Sequence, residues 1–206
     1  VELIVLGGTW SYYDEEYKLS FVYECFRALN DVKVDTYDYV QARSDSLASV
    51  SFEDIERVHR ENENAYCKNV GLVFETRPDY VTEDEVKFLR RLGCTKVQIG
   101  IQSLSNRLLR LNSIGRRNRD TKKAFKLLRL GGFKIHGHWM PNLYGSNTRR
   151  DVNEYIKLWR RDYCPDELKI YPTSIIAGTR LYSLFKEGKY KPYSDEEISF
   201  VLKRVL

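Results

Sequence analysis

Five apolar runs, each followed by a stretch of helical period, constrain this chain more than any other feature. They are "ELIVLGG" (2–8), "NVGLVFETRP" (69–78), "KVQIGIQS" (96–103), "FKIHGHWMP" (133–141) and "ELKIYPTS" (167–174). Helical patterns fall at about 15–29, 51–65, 81–93, 119–130, 151–161 and 178–188, with a last one from Ser194. Ser51 with Asp54, and Thr82 with Glu85, have capping-box spacing; Gly93 is placed to end the helix whose inner face is Val86, Leu89 and Leu92. Strands separated by helices predict parallel βαβ units. The expected class is therefore α/β: an incomplete (β/α) TIM-type barrel, with a doubly wound parallel sheet as the alternative. A length of 206 residues holds one sizeable core but is short for a complete large barrel. The least patterned stretch, "DVKVDTYDYVQARSD" (31–45), reads as an insertion or loop.

Strand parity then separates two faces. A strand repeats every two residues, so Glu75 shares a face with Arg77, and Gln98 with Gly100 and Gln102. His136, His138 and Met140 share another, as do Lys169 and Tyr171. Four strands thus carry polar groups on one parity toward their C-terminal ends, where parallel α/β folds bind ligands. Each such group costs about 1–3 kcal/mol if buried without a partner, and a polar, cofactor-sized ligand would supply partners. An internal pairing of Glu75 with Arg77, and satisfied core histidines, are the competing readings. "GGTW" (7–10) follows the first run, and glycines there let backbone approach a ligand closely.

Net charge is +5, a mild excess, but between Arg107 and Arg129 the only acid among many Lys and Arg residues is Asp120. Arg116, Arg117, Arg119, Lys122 and Lys123 are the candidates for facing phosphates; a solvated helix face is the alternative. Cysteines at 25, 67, 94 and 164 form no CxxC pair, so no metal site is expected from them. Cys25 and Cys94 read as buried thiols. No apolar run reaches the roughly 20 residues of a membrane span. Without a secretion signal, a reducing cytoplasmic setting is expected. The chain opens on a strand with no initiator Met, which suggests a piece of a larger protein.

"ELIVLGGTW", "FETRPDY", "LGCTKVQIGIQS", "GFKIHGHWMPNL" and "LKIYPTSIIAGTRLYSLFKEGKYKPYSDEE" occur in the order and spacing of one family. Together they resemble the radical S-adenosylmethionine (SAM) domain of the catalytic subunit of the Elongator complex and its archaeal and bacterial relatives. The resemblance covers nearly the whole chain and is weakest between Asp31 and Asn64. It implies an enzyme that installs a carboxymethyl-type group on the wobble uridine of tRNA, using SAM, a four-iron four-sulfur cluster and acetyl-CoA. It also implies tRNA as a partner, with further Elongator-type subunits or self-association, and no membrane. By this resemblance Gly7, Gly8 and Thr9 receive the methionine part of SAM. Glu75, Gln102, Ser103, His138 and Met140 line the same pocket, with Arg77 beside them. Lys169 and Tyr171 lie toward the domain interface and substrate.

The departures are specific. The family's three cluster cysteines precede the position of Val1, and its acetyltransferase domain follows that of Leu206. Residues 1–206 are thus expected to be the radical SAM core alone, inactive in isolation. "SIGRRNRD" (113–120) stands where relatives tend to carry Gly-His-Thr. A radical SAM enzyme acting on a small molecule, or a tRNA-binding module without radical chemistry, remain the other function classes.

Overall fold

The computed structural model describes residues 1–32, 49–160 and 162–206. Five strands make one sheet: β1 (Glu2–Val5), β2 (Gly71–Thr76), β3 (Lys96–Gln102), β4 (Lys134–Trp139) and β5 (Glu167–Ile170). All neighbours are parallel and the spatial order is the chain order, β1-β2-β3-β4-β5. A doubly wound sheet reverses its order at a switch point; this one does not, so the half-barrel expectation holds.

Curvature is visible in the side chains. Strands lie about 4.8 Å apart, so β1 and β5 would be separated by roughly 19 Å in a flat sheet. Yet the Lys96 ammonium of β3 sits 3.2 Å from Glu2 of β1 and 2.8 Å from Glu167 of β5. Only a sheet rolled about β3 brings both edges to one cation.

The opposite parity is apolar and packs beneath the helices. Leu72, Phe74, Val97, Ile99, Ile101, Ile135 and Trp139 are buried in one core. The helices are α1 (Glu15–Asp31), α2 (Phe52–Asn62), α3 (Glu83–Arg91), α4 (Asn106–Leu111), α5 (Asn118–Leu130), α6 (Thr148–Leu158), α7 (Arg180–Lys186) and α8 (Asp195–Val205). α4 lies inside the basic run and was not resolved from sequence as a separate helix. α6 begins three residues earlier than its apolar pattern suggests, because the Asn147 side chain accepts from Arg150 N at 2.9 Å and starts the helix. The unpatterned stretch 31–45 lies mostly outside the described residues.

Ser51 and Asp54 form the expected capping box, at 3.2 and 3.1 Å. At α3 the expectation is half right: Thr82 accepts from Glu85 N at 3.1 Å, but the Glu85 carboxylate does not return to the cap. It lies 3.7 Å from the ammonium of Lys18, which is buried on α1 and needs an acid. Gly93 closes α3 at φ +80°, and a Cβ there would meet His59 Cε1 at 2.6 Å. Both its conformation and its space require glycine.

Candidate cofactor site at the mouth of the half-barrel

The concave face is polar across β3, β4 and β5, while Ile4 of β1 and Val73 of β2 share it. At its lower end the Glu2–Lys96–Glu167 group is joined by His136, whose Nδ1 is 3.1 Å from Glu167. The hydrogen bond to Glu167 holds the Lys96 ammonium above its ordinary range, and Lys96 in turn holds the Glu167 carboxyl below its own.

One layer nearer the strand C-termini, Gln98 Oε1 accepts from His138 Nε2 and from Lys169 Nζ, both at 2.9 Å. Burial, with Lys169 and His136 adding repulsion, pushes the His138 pKa down to about 4, so the ring is neutral near pH 7. Its single proton is on Nε2, because Gln98 Oε1 is already fixed as an acceptor by Lys169. Nδ1 is therefore bare, and it faces Glu75 Oε1 at 3.4 Å. Two acceptors look at each other with no donor between them. A ligand N–H or O–H placed there would serve both. Tyr171 stands edge-on to the His138 ring at 5.6 Å, half exposed at the rim.

The mouth is completed by two backbone devices. Beyond β1, Gly7 adopts φ +111° and opens the exposed turn through Gly8 to Thr9. Trp10 then tucks under it and stacks on Phe74, with centroids 4.3 Å apart, while Ser11 and Thr76 hydroxyls meet at 2.8 Å. At the end of β3 the register slips between Gly100 and Gln102, and Gln102 takes φ +53°. Met140 N donates to Gln102 O at 3.0 Å, which sets the Met140 position beside it.

The structure gathers Glu75, Gln102, His138, Met140, Lys169 and Tyr171 around this mouth. Other expected residues sit differently. Arg77 does not pair with Glu75; it grips Asp79 at 2.6 Å and lies over Tyr80, because the chain turns at Pro78 before the two side chains can align. Ser103 is fully buried and its hydroxyl donates to Glu154 at 2.9 Å, away from the concave face. Of the basic group, Arg116 is folded inward: its guanidinium donates to Gly100 O and to Gln102 Oε1, and burial draws its pKa down to about 10. Lys122 pairs with Asp162 at 2.6 Å and Arg119 lies 3.6 Å from Asp120; Arg117, Arg119, Lys122 and Lys123 are all exposed.

Two supporting residues were not legible as such. Gln98 has the right parity but no charge to mark it. Glu154, on α6, accepts from Ser103 Oγ, from Leu104 N at 2.9 Å and from Trp139 Nε1 at 3.1 Å, and burial raises its pKa. Its sequence position gives no hint that it braces the ends of β3 and β4.

Among the described residues no group of three or more His, Cys, Asp or Glu side chains could hold a metal ion. The cysteines lie in separate parts of the chain, Cys25 on α1 and the others in connecting segments, and Cys94 is in the core with its thiol pKa pushed up to about 12 by burial. They do not fit a cluster's demand for convergent thiolates. Among the described residues no helix is long and apolar enough to cross a membrane.

Known proteins resemble this chain in sequence and fold. A family model described as the radical SAM superfamily matches residues 3–158, and one described as the radical SAM C-terminal domain matches 165–206. A tRNA uridine(34) acetyltransferase of Methanocaldococcus infernus is 36% identical over 198 residues, covering 96% of this chain and 34% of that protein. Elongator complex protein 3 of Homo sapiens is 32% identical over 207 residues, covering 100% of this chain and 35% of that protein. The chain therefore spans about a third of the length of these relatives. The solved archaeal Elp3 of Methanocaldococcus infernus with an N-terminal deletion superposes with TM-score 0.85 at 35% identity, covering 99% of this chain and 44% of that one. An Escherichia coli coproporphyrinogen III oxidase, at 15% identity and TM-score 0.54, shares the fold alone. The resemblance read from the motifs is borne out, and the chain belongs to the radical SAM superfamily.

Proposed function

We propose that this chain is the SAM-binding core of an enzyme that adds a carboxymethyl-type group to the wobble uridine of tRNA. Membership of the superfamily implies SAM and a four-iron four-sulfur cluster. Acetyl-CoA use, a neighbouring acetyltransferase domain and a cytoplasmic setting belong to the proposal, as do Elongator-type subunits or self-association. The relatives named tRNA uridine(34) acetyltransferase support the substrate.

The observation that carries the reading is the donor-short pair of His138 Nδ1 and Glu75 Oε1, 3.4 Å apart at the C-terminal ends of β4 and β2. SAM carries an ammonium and ribose hydroxyls, which are donors of the kind this pair lacks. When bound, SAM supplies the organic radical for which the superfamily is named. The chain's own part is to bind and orient. Gly7, Gly8 and Thr9 offer an open backbone turn for the methionine end. Glu75, His138, Gln102 and Met140 line the pocket, with Ser103 bracing the loop beneath Gln102. Arg77 guards the rim. Lys169 and Tyr171 face the substrate side, and Arg117, Arg119 and Lys123 meet phosphates beside the mouth. The cluster's ligands are assigned to residues other than the four cysteines here.

The deciding experiment incubates the full-length protein, after iron–sulfur reconstitution, with tRNA, SAM, acetyl-CoA and reductant. Mass spectrometry of the digested tRNA should show a carboxymethyl-type adduct on uridine 34 that depends on SAM and acetyl-CoA. SAM cleavage that proceeds equally without tRNA and leaves uridine 34 unmodified would overturn the proposal in favour of small-molecule chemistry.

A further inference from the structure

A concave groove of about 730 Å³ runs down the outer wall between α5 and α6, on the far side of the sheet from the concave face. Its walls carry Lys122 of α5, Arg149, Arg150 and Lys157 of α6, and Arg160 just beyond α6. Two acids line it. Glu154 is turned inward to Ser103, Leu104 and Trp139, and Asp162 is held by Lys122 at 2.6 Å. Arg150 donates to Gly145 O at 2.8 Å. Arg149, Lys157 and Arg160 are exposed and make no ion pair among the described residues.

Their spacing says what kind of anion fits. Positions 149, 153 and 157 follow the helical repeat, so Arg149, Asn153 and Lys157 form one stripe on the groove side of α6, and Arg160 lines the same groove just past the helix end. From Arg149 to Lys157 the stripe covers about 12 Å along the axis, and Arg160 extends it past the helix end. A small anion needs cations that converge on one point; these are strung out in a line. A linear polyanion with charges at regular intervals matches a line.

The direction of the line is also informative. In a parallel βα unit the helix returns antiparallel to its strand, so the N-terminus of α6 lies at the mouth and its C-terminus at the opposite end. The stripe therefore starts at the rim beside the candidate cofactor site and leads away down the wall. Among the described residues the groove offers amides and cations but, apart from Tyr163, no aromatic surface on which bases could stack. Such a lining grips backbone phosphates and does not read bases.

We infer that the α5–α6 groove is a second RNA contact, holding the phosphodiester backbone of the substrate RNA outside the mouth. The inference rests on the tRNA reading above, and it assigns Arg149, Lys157 and Arg160 as the contacting cations, with Lys122 and Arg150 flanking them. An acidic protein segment is the rival occupant, but a partner of that kind gains little from a line of exposed, solvated cations.

The test measures tRNA affinity of the full-length protein across a salt series, for the natural sequence and for Arg149→Ala/Lys157→Ala/Arg160→Ala. Each lost phosphate contact lowers the slope of log affinity against log salt by about 0.7 to 0.9. The triple variant should lose about two units of slope and bind at least about tenfold more weakly at 0.1 M salt. SAM affinity and melting temperature should stay unchanged, because all three side chains are exposed. Arg149→Lys/Arg160→Lys should restore the slope, since charge and not fork geometry is at work. If the triple variant melts early, Arg149→Glu alone carries the same test. An unchanged slope in a variant of a protein that does bind tRNA overturns the groove assignment alone. Failure of the natural sequence to bind tRNA overturns the functional reading itself. Unchanged RNA binding with loss of a co-purifying subunit would make the groove a protein interface.

Discussion

His138 Nδ1 and Glu75 Oε1 face each other at 3.4 Å as two acceptors, because the single imidazole proton is committed to Gln98. Replacing Glu75 by Gln places an amide donor opposite Nδ1 and fills the gap from within the protein. The fold should keep its stability or gain slightly. SAM affinity, measured by equilibrium dialysis in the full-length protein, should fall about tenfold or more, as a charge-assisted hydrogen bond is lost. Early melting with unchanged affinity would make the pair structural.

The same ring makes stability depend on acid. An unperturbed histidine titrates near 6.5, and His138 is held at about 4 by burial and by Lys169. The unfolded chain therefore binds the proton first. Stability contributed by the neutral ring is complete above pH 6.5 and is lost as pH falls toward 4, by up to about 3 kcal/mol. His136 is shifted in the same direction by burial and steepens the loss. Urea unfolding at pH 7 and pH 4.5 should show a smaller difference for His138→Asn than for the natural sequence. Equal pH dependence in the two proteins would remove His138 from the account.

Glu154 is the brace for the rim on the α6 side. Its carboxylate collects Ser103 Oγ, Leu104 N and Trp139 Nε1 in the interior. Glu154→Ala leaves three donors buried with no acceptor, at about 1 kcal/mol or more apiece, so unfolding free energy should drop by roughly 3 kcal/mol. Glu154→Gln keeps one good acceptor and turns an NH2 toward the remaining donors, so it should lose less than Ala. A variant as stable as the natural protein would show that water replaces the carboxylate there.

Much of this was legible because strands and helices repeat with different periods. Parity alone separated Val97, Ile99 and Ile101 from Gln98, Gly100 and Gln102, and it sorted His136 and His138 away from Ile135 and Trp139. What parity cannot carry is the partner of each polar group. Arg77 shares a face with Glu75 on paper, but Pro78 turns the chain and gives Arg77 to Asp79. Glu85 has capping-box spacing, but a buried Lys18 from another helix claims its carboxylate. Glu154 and the groove cations Arg149, Lys157 and Arg160 lie far in sequence from what they serve, and only the fold, which sets α5 and α6 on either side of one groove, brings them into view. The mouth residues were located through the family's motifs more than through chemistry.

Arg116 separates a structural cation from a nucleic-acid contact within one basic run. Its guanidinium is folded over the end of β3, where it serves Gly100 O and Gln102 Oε1, and Gln102 holds a left-handed backbone beneath it. A residue at φ +53° that is not glycine is strained, and the arginine is what fixes its side chain. Arg116→Ala should therefore destabilise the protein by about 1–3 kcal/mol, from acceptors left unpaired at the rim. SAM affinity should fall with it, as Gln102 moves. The salt slope for tRNA should stay as it was, because a cation already engaged by the protein releases no counterions from RNA. Arg117→Ala/Arg119→Ala/Lys123→Ala should do the reverse, leaving stability and SAM affinity in place while the slope falls by up to about two units. A flatter slope for Arg116→Ala with unchanged melting would mean that this guanidinium swings out to the RNA, and that the inward geometry is not the one that meets substrate.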